Sequence, residues 1–377
     1  MSAILRGFSL YYDSEELIME ERLSARLERE AGLPGLIEGL VDRLSGSDLN
    51  SLLLEVYRQK AAKIDATELL ARYRNNRLVQ PSPIDMIGLL ELELQVLHYM
   101  RGHGFHAVEL SPAAQFGSCS VVATVDQQKV LSAVRNTEIM ADATNALALH
   151  IASTVRAMGG RSAEAGRGHE DRVAQRSGGR NRLCTVHRHI RTQPFPAGYF
   201  PHFKIGCMVS SGLDVGNYGF ECGALLEQLR VLFGLLRKLG TRKPDGRASQ
   251  GRASGPAERG ADGPPEGGLG SLRLVLRRRG GYDERNPLID RIHAHLVQAL
   301  PDETIELEDA PADNDYYKGI QFKLYVNTDE RVWEIADGGF VDWTQQLLGN
   351  RKERLLISGF GLEWLYKIKN PALVAQG

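Results

Sequence analysis

The residue types best suited to chemistry in this chain gather around Arg191 and Phe203. An arginine fork matches phosphate oxygens, and an aromatic face stacks on a purine. Further upstream, Arg135, Glu138 and Asp142 are ionisable residues in an otherwise apolar neighbourhood. If buried, each needs a partner or a ligand to offset its desolvation. Asp142 also has a plain structural reading, as the N-cap of a helix over residues 143–156. Near the C-terminus, Gly359 and Gly361 precede a helix at 362–368. Glycine lets backbone come close to a ligand, and a helix N-terminus suits an anion.

The elements that must position these groups are legible in outline. Residues 188–206 read as a strand, a loop carrying Pro and Gly, and a return strand. Arg191 stands at the loop's entrance and Phe203 at its exit. The return strand runs through 205–209 toward Asp214, and Glu221 stands just before a helix at 224–239. A strand at 272–276 and a helix at 286–300 follow. The last part is antiparallel in character: strands at 316–327 and 331–336, a turn at Gly338-Gly339, a helix at 343–348 and a strand at 354–357.

Before this region, residues 14–77 read as helices. Leu49, Leu52, Leu53 and Val56 form one apolar stripe, and Asp65-Ala66-Thr67-Glu68 is a capping-box pattern. Pro81-Ser82-Pro83 breaks the chain; Ser82 caps and Pro83 opens a helix over 84–101, with a strand at 105–110 after it. Residues 159–182 and 240–270 are rich in Gly, Arg and Ser without an apolar period, which predicts disordered insertions.

Composition bounds the function. The chain has 377 residues, 42% of them hydrophobic, and a formal net charge of −1. That length suggests one large domain with an appendage, or two domains. The near-neutral charge argues against a surface devoted to gripping nucleic acid. There is no long apolar segment after a basic start and no stretch of membrane-spanning length, so a cytoplasmic protein is expected. Cys119, Cys184, Cys207 and Cys222 lack C-x-x-C spacing and paired histidines, which predicts reduced thiols rather than a zinc site.

Four segments, in order, carry a resemblance. Ile190-Arg191-Thr192-Gln193 followed by His202-Phe203 resembles the second signature motif of class II aminoacyl-tRNA synthetases, an F-R-x-E strand and a return strand opening H/R-x-x-F. Residues 315–322 look like the D-Y-Y-T-G-x-x-F segment of the histidyl branch, and residues 337–342 are similar to its G-G-R-Y-D turn. Residues 358–363 resemble the third motif, G-x-G-L-E-R. The helix and strand over 84–110 are similar to the first motif, which builds the family's dimer interface. Asp142-Ala143-Thr144 resembles the E-x-T that binds the substrate's amino group. The resemblance covers residues 84–368.

The resemblance implies an α+β fold: an antiparallel sheet of six or seven strands flanked by helices, with an N-terminal helical appendage over 1–80 and a catalytic core over 81–377. It implies ATP and Mg²⁺ as cofactors. Arg191 would orient the α-phosphate. Gln193, His202, Phe203, Glu221, Gly359, Gly361 and Trp364 would surround the nucleotide. Arg135, Glu138, Asp142, Thr144, Tyr316 and Tyr317 would shape an amino-acid or carboxylate pocket, and Glu221 with Asp214 would hold magnesium. Three positions depart from the pattern. Trp364 stands where the family has an arginine on the ATP phosphates, Gln193 replaces a glutamate, and Ala312 replaces an arginine on the substrate carboxylate. Each lost cation costs on the order of 3 kcal/mol of transition-state stabilisation.

A full histidyl-tRNA synthetase continues into an anticodon-binding domain. This chain stops at Gly377, so anticodon recognition of tRNA is not expected. Two functions follow from the resemblance. One is activation of a small carboxylate as an acyl-adenylate for a non-standard acceptor. The other is a non-catalytic amino-acid sensor, similar in logic to the regulatory subunit of ATP phosphoribosyltransferase. Both imply a homodimer, and a partner enzyme or carrier.

Overall fold

The computed structural model describes residues 14–123, 125–160, 180–193, 199–240, 270–282, 288–308, 316–328 and 331–370. Ala312 and nearly all of the two predicted insertions lie outside the described residues. At their margins, Gly159 and Gly160 end a helix, and residues 180–182 open a strand.

The strands in chain order are β1 (His106–Ala107), β2 (Ala113–Gln115), β3 (Ser132–Ala133), β4 (Thr137–Ile139), β5 (Arg180–Ile190) and β6 (His202–Leu213). They continue with β7 (Ser271–Arg278), β8 (Thr304–Glu308), β9 (Lys318–Asn327), β10 (Val332–Val341) and β11 (Glu353–Gly361). Eight of them form one sheet in the order β1-β5-β6-β11-β10-β9-β7-β8, and β2-β4-β3 form a small second sheet. The interior pairs of the large sheet are antiparallel, whereas β1 with β5 and β7 with β8 are parallel. The expected six or seven antiparallel strands are therefore corrected to a mixed sheet of eight. The additions are edge strands. The pair β7 and β8 is joined through the helix Leu288–Ala299, the crossover a parallel pair requires.

Helices cover both faces of the sheet, which explains the nearly continuous burial along β6 and β9. On one face lies the helix Gly219–Lys238, with Met86–Gly102 offering Leu89, Leu92, Val96 and Met100 at helical spacing. The other face carries Ala143–Gly160, Trp343–Leu348 and the segment that brings Val122, Val125 and Val130 into the core. The helix Met86–Gly102 starts later than Ser82-Pro83 suggests, because the Asp85 side chain accepts the Gly88 N–H at 2.6 Å and caps it there. Asp65 caps the helix Ala66–Asn75 through the Glu68 N–H at 2.8 Å, as its capping pattern predicts. Neither that helix nor Gly46–Ala61 buries a single residue.

The predicted turn at Gly338-Gly339 is instead the middle of β10, paired with β9 and β11. Glycine is needed here for space. A Cβ on Gly339 would lie 2.5 Å from the Ile320 carbonyl oxygen and 2.6 Å from the Tyr317 ring. Gly339→Ala is expected to lower stability by about 1–3 kcal/mol through overpacking. Thermal denaturation checks this, and an unchanged Tm contradicts it.

Candidate functional site

Residues of β6, β10 and β11, the tyrosines just before β9 and the segments around Asp142 and Arg191 line a cavity of about 70 Å³. One wall is acidic. Asp142 immediately precedes the helix Ala143–Gly160; its Oδ1 accepts the Thr144 N–H at 2.9 Å and the Thr144 hydroxyl at 2.7 Å. Its Oδ2 accepts the Tyr316 hydroxyl at 2.8 Å. Asp142 thus caps the helix through one oxygen and lines the cavity, with its other oxygen held by Tyr316.

A second carboxylate, Asp337 on β10, also lines the cavity. It accepts the Tyr317 hydroxyl, and the Gln321 side-chain amide at 2.7 Å. The two tyrosine rings meet edge to face at 4.8 Å, and Trp343 packs edge-on against Tyr316 at 5.5 Å. Burial and the adjacent carboxylates push both phenols well up, so they remain donors.

Burial pushes Asp337 up from 3.8 to about 6, against the lowering effect of the Tyr317 hydroxyl and of Lys323. Between those values the folded chain holds a proton that the unfolded chain has released. Stability therefore falls as pH rises through that window, by up to about 1.4 kcal/mol per pH unit for this group. Asp337→Asn is expected to flatten that decline in urea denaturation measured across the window. An unchanged slope contradicts the assignment.

The opposite wall is basic and polar. Arg191 is 3% exposed, and its Nε donates to the Ala141 carbonyl at 3.3 Å. Its guanidinium stands 5.5 Å from the centre of the Phe203 ring. His189, two residues earlier, also lines the cavity, and its Nε2 accepts the Ala143 N–H at 3.1 Å. Cys207, Ser358, Gly359 and Gly361 complete this side. Burial pushes the Cys207 thiol well up, which leaves it protonated.

Arg191, Asp142, Thr144, Tyr316, Tyr317, Gly359 and Gly361, all anticipated from sequence, are thus brought together. Phe203 is adjacent through Arg191 and lies 6.3 Å from the His189 ring. The sequence reading missed His189, Asp337, Cys207 and Ser358. A signal existed for His189, because residues two apart in a strand share a face, and Arg191 follows it at that spacing.

The remaining predicted residues lie elsewhere, each for a physical reason. Glu138 is fully buried but faces its own chain, accepting from the Gly117 and Cys119 N–H groups at 3.0 and 3.2 Å. It also accepts from the Ser118 hydroxyl at 2.9 Å and the Gln127 amide at 3.1 Å. Arg135 is exposed, in the left-handed region with φ 68°, where its N–H binds the Asn50 side chain at 2.7 Å. His202 bridges Arg188 and the Gln80 carbonyl. Gln193 lies beyond the strand end and is not part of the cavity wall.

Trp364 packs against Tyr199 and Trp333, with the Lys367 ammonium 4.7 Å above its ring, and leaves the cavity clear. Glu221 and Asp214 both bind Arg354, at 2.9 and 2.7 Å, and Tyr282 donates to Glu221. Asp214 and Arg354 line a separate cavity of about 640 Å³ at the other end of the strands. The two acids therefore do not fit the magnesium role expected of them. Among the described residues, no group of three or more His, Cys, Asp or Glu side chains is placed to hold a metal.

In sequence, no protein-family model matches the chain, and neither does any curated protein. In structure, the chain is similar to the apo histidyl-tRNA synthetase of S. aureus, at 13% identity over 78% of this chain and 69% of that one, with a TM-score of 0.51. It is also similar to an ATP phosphoribosyltransferase regulatory subunit/histidyl-tRNA synthetase from Bacillus halodurans, at 12% identity over 77% of this chain and 82% of that one, with a TM-score of 0.53. The fold is that of the class II synthetases of the histidyl type. Among the described residues, no helix is long and apolar enough to cross a membrane.

Proposed function

On the premise of a class II synthetase fold, we propose that this chain binds a small amino acid in the cavity between Asp142 and Arg191 and acts by sensing it. One observation carries the reading: the two tyrosines and the Asp142-Thr144 pair converge on one cavity with Arg191 across from them. An acidic wall whose carboxylate and hydroxyl oxygens can accept suits an ammonium, and a buried guanidinium suits a carboxylate. Calorimetric titration of the full chain with each standard L-amino acid tests this. One or a few are expected to bind, at one site per chain; binding by none rejects the reading. A partner enzyme would then read the occupied state, as the name of the Bacillus halodurans protein suggests for a subunit of that fold.

A second reading, ATP-dependent activation of the bound carboxylate, has one observation in its favour. Arg191, Gly359 and Gly361 border the same cavity, the arginine backed by Phe203. The two acids expected to hold magnesium are instead paired with Arg354. ATP–pyrophosphate exchange separates the readings. Exchange stimulated by the amino acid that binds, and lost in Arg191→Ala, establishes activation; its absence leaves the sensor.

The homodimer is proposed through the helix Met86–Gly102. Its outer side exposes Met86, Ile87, Leu90 and Leu94, an apolar stripe on the face away from the core. Placing a charge there with Leu94→Glu is expected to convert the dimer to a monomer in light scattering. Wild-type protein that is already monomeric at micromolar concentration contradicts this assignment.

A further inference from the structure

Within the acid-and-cation cavity one donor has no counterpart. His189 is 1% exposed on β5 and forms part of the cavity wall. Its Nε2 receives the Ala143 N–H at 3.1 Å, so that nitrogen carries the lone pair. Burial, with Arg191 and His187 nearby, keeps the ring neutral. The single ring proton must then sit on Nδ1, and Nδ1 has no hydrogen-bond partner among the described residues. A buried donor left unmatched is costly, and in a native structure it calls for a reason.

We infer that His189 is a ligand-binding residue whose Nδ1–H donates to a carboxylate oxygen of the bound amino acid, beside Arg191. The assignment rests on the amino-acid reading above and adds to it how the carboxylate is told from its neutral analogues. Arg191 follows His189 by two residues, one past the end of β5, and lines the same cavity, so the two donors reach it from the end of that strand. A neutral imidazole N–H beside a guanidinium favours an anionic oxygen over an amide or an alcohol, because only the anion gains from both. The same Ala143 N–H that fixes the tautomer belongs to the helix following Asp142. The ammonium and carboxylate ends of one ligand would thus be registered by adjacent parts of the chain.

Two substitutions separate the nitrogens. His189→Gln places an acceptor near the Nε2 position and keeps the Ala143 contact, but removes the Nδ1 donor. His189→Asn keeps a donor near Nδ1. The full-length protein is titrated with the standard L-amino acids, with the carboxamide of each that binds, and with ATP. Wild type is expected to prefer the acid over its carboxamide. His189→Gln is expected to bind the acid about tenfold more weakly, a difference of about 1.4 kcal/mol. The preference over the carboxamide should shrink with it, while Tm without ligand is kept. His189→Asn is expected to retain the preference. In wild type, the Nδ1 proton resonance should shift and become protected from exchange when the amino acid binds, a readout that needs no variant.

Equal binding by wild type and His189→Gln, with an unmoved Nδ1 resonance, overturns the inference and leaves the amino-acid reading intact. Weakened binding of ATP alone overturns the carboxylate assignment in favour of a phosphate oxygen. Failure of every amino acid to bind wild type overturns both.

Discussion

Asp142→Asn is expected to weaken amino-acid binding by roughly 10- to 100-fold while leaving the unliganded fold in place. Hydrogen bonds to a charged group are worth about 1.5–3 kcal/mol, against about 1 for a neutral one, and the substitution removes that charge alone. The asparagine oxygen still accepts from Thr144, whose N–H and hydroxyl both meet Oδ1 in the native chain. The asparagine amide faces Tyr316, whose hydroxyl can turn from donor to acceptor. Structure is therefore retained as the ammonium loses its counter-charge. Calorimetry of variant and wild type against the same amino acid measures the change. Affinity within twofold of wild type would mean that the ammonium lies elsewhere or is absent.

Glu138→Ala should cost stability rather than binding. Its carboxylate satisfies the Gly117 and Cys119 N–H groups, the Ser118 hydroxyl and the Gln127 amide in a fully buried position. Each unmatched buried donor costs about 1–3 kcal/mol. Water entering the space left by the side chain offsets part of the sum, so a loss on the order of 3–5 kcal/mol is expected, comparable to breaking a buried ion pair. The loss should begin locally. Cys119, Val122, Val125 and Val130 belong to the core on that face of the sheet, and their segment is organised around this one carboxylate. Urea denaturation gives the magnitude, and hydrogen exchange over residues 117–130 gives the location. A loss under about 1 kcal/mol contradicts the account, because the buried Gly117 and Cys119 N–H groups would then have found other partners.

How far the sequence carried can be judged from individual residues. The pairing of β5 with β6 was legible because a Pro- and Gly-bearing loop separates two apolar runs. The helix Trp343–Leu348 and the cap at Asp65 were legible because their determinants are local. The acidic wall of the cavity is equally visible, since Asp142 and Thr144 are near neighbours and the tyrosines are adjacent.

What failed depended on partners far away in the chain. Arg354 lies 133 residues from Glu221 and 140 from Asp214, and no local pattern reveals that it claims both acids. Glu138's need for a partner, which alone makes it a candidate for the substrate pocket, is visible in sequence. That the need is met by backbone N–H groups of an irregular segment is not. Gly338-Gly339 suggests a turn, since a pair of glycines usually marks one. Here the crowding by Phe322 and Tyr317 demands them in mid-strand. Trp364 stands where the resemblance places an arginine, yet its ring packs at a tilt against Trp333 with the Lys367 ammonium close by.

The central claim is that one cavity holds an amino acid by its ammonium at Asp142 and its carboxylate at Arg191. The most direct test is calorimetric titration of the wild-type chain with the amino acid that binds, with its N-acetyl derivative, and with its carboxamide. Both modified ligands are expected to bind at least tenfold more weakly, since each loses one charge that a buried partner recognises. Equal affinity for all three would show that neither end of the molecule is read, and would contradict the account.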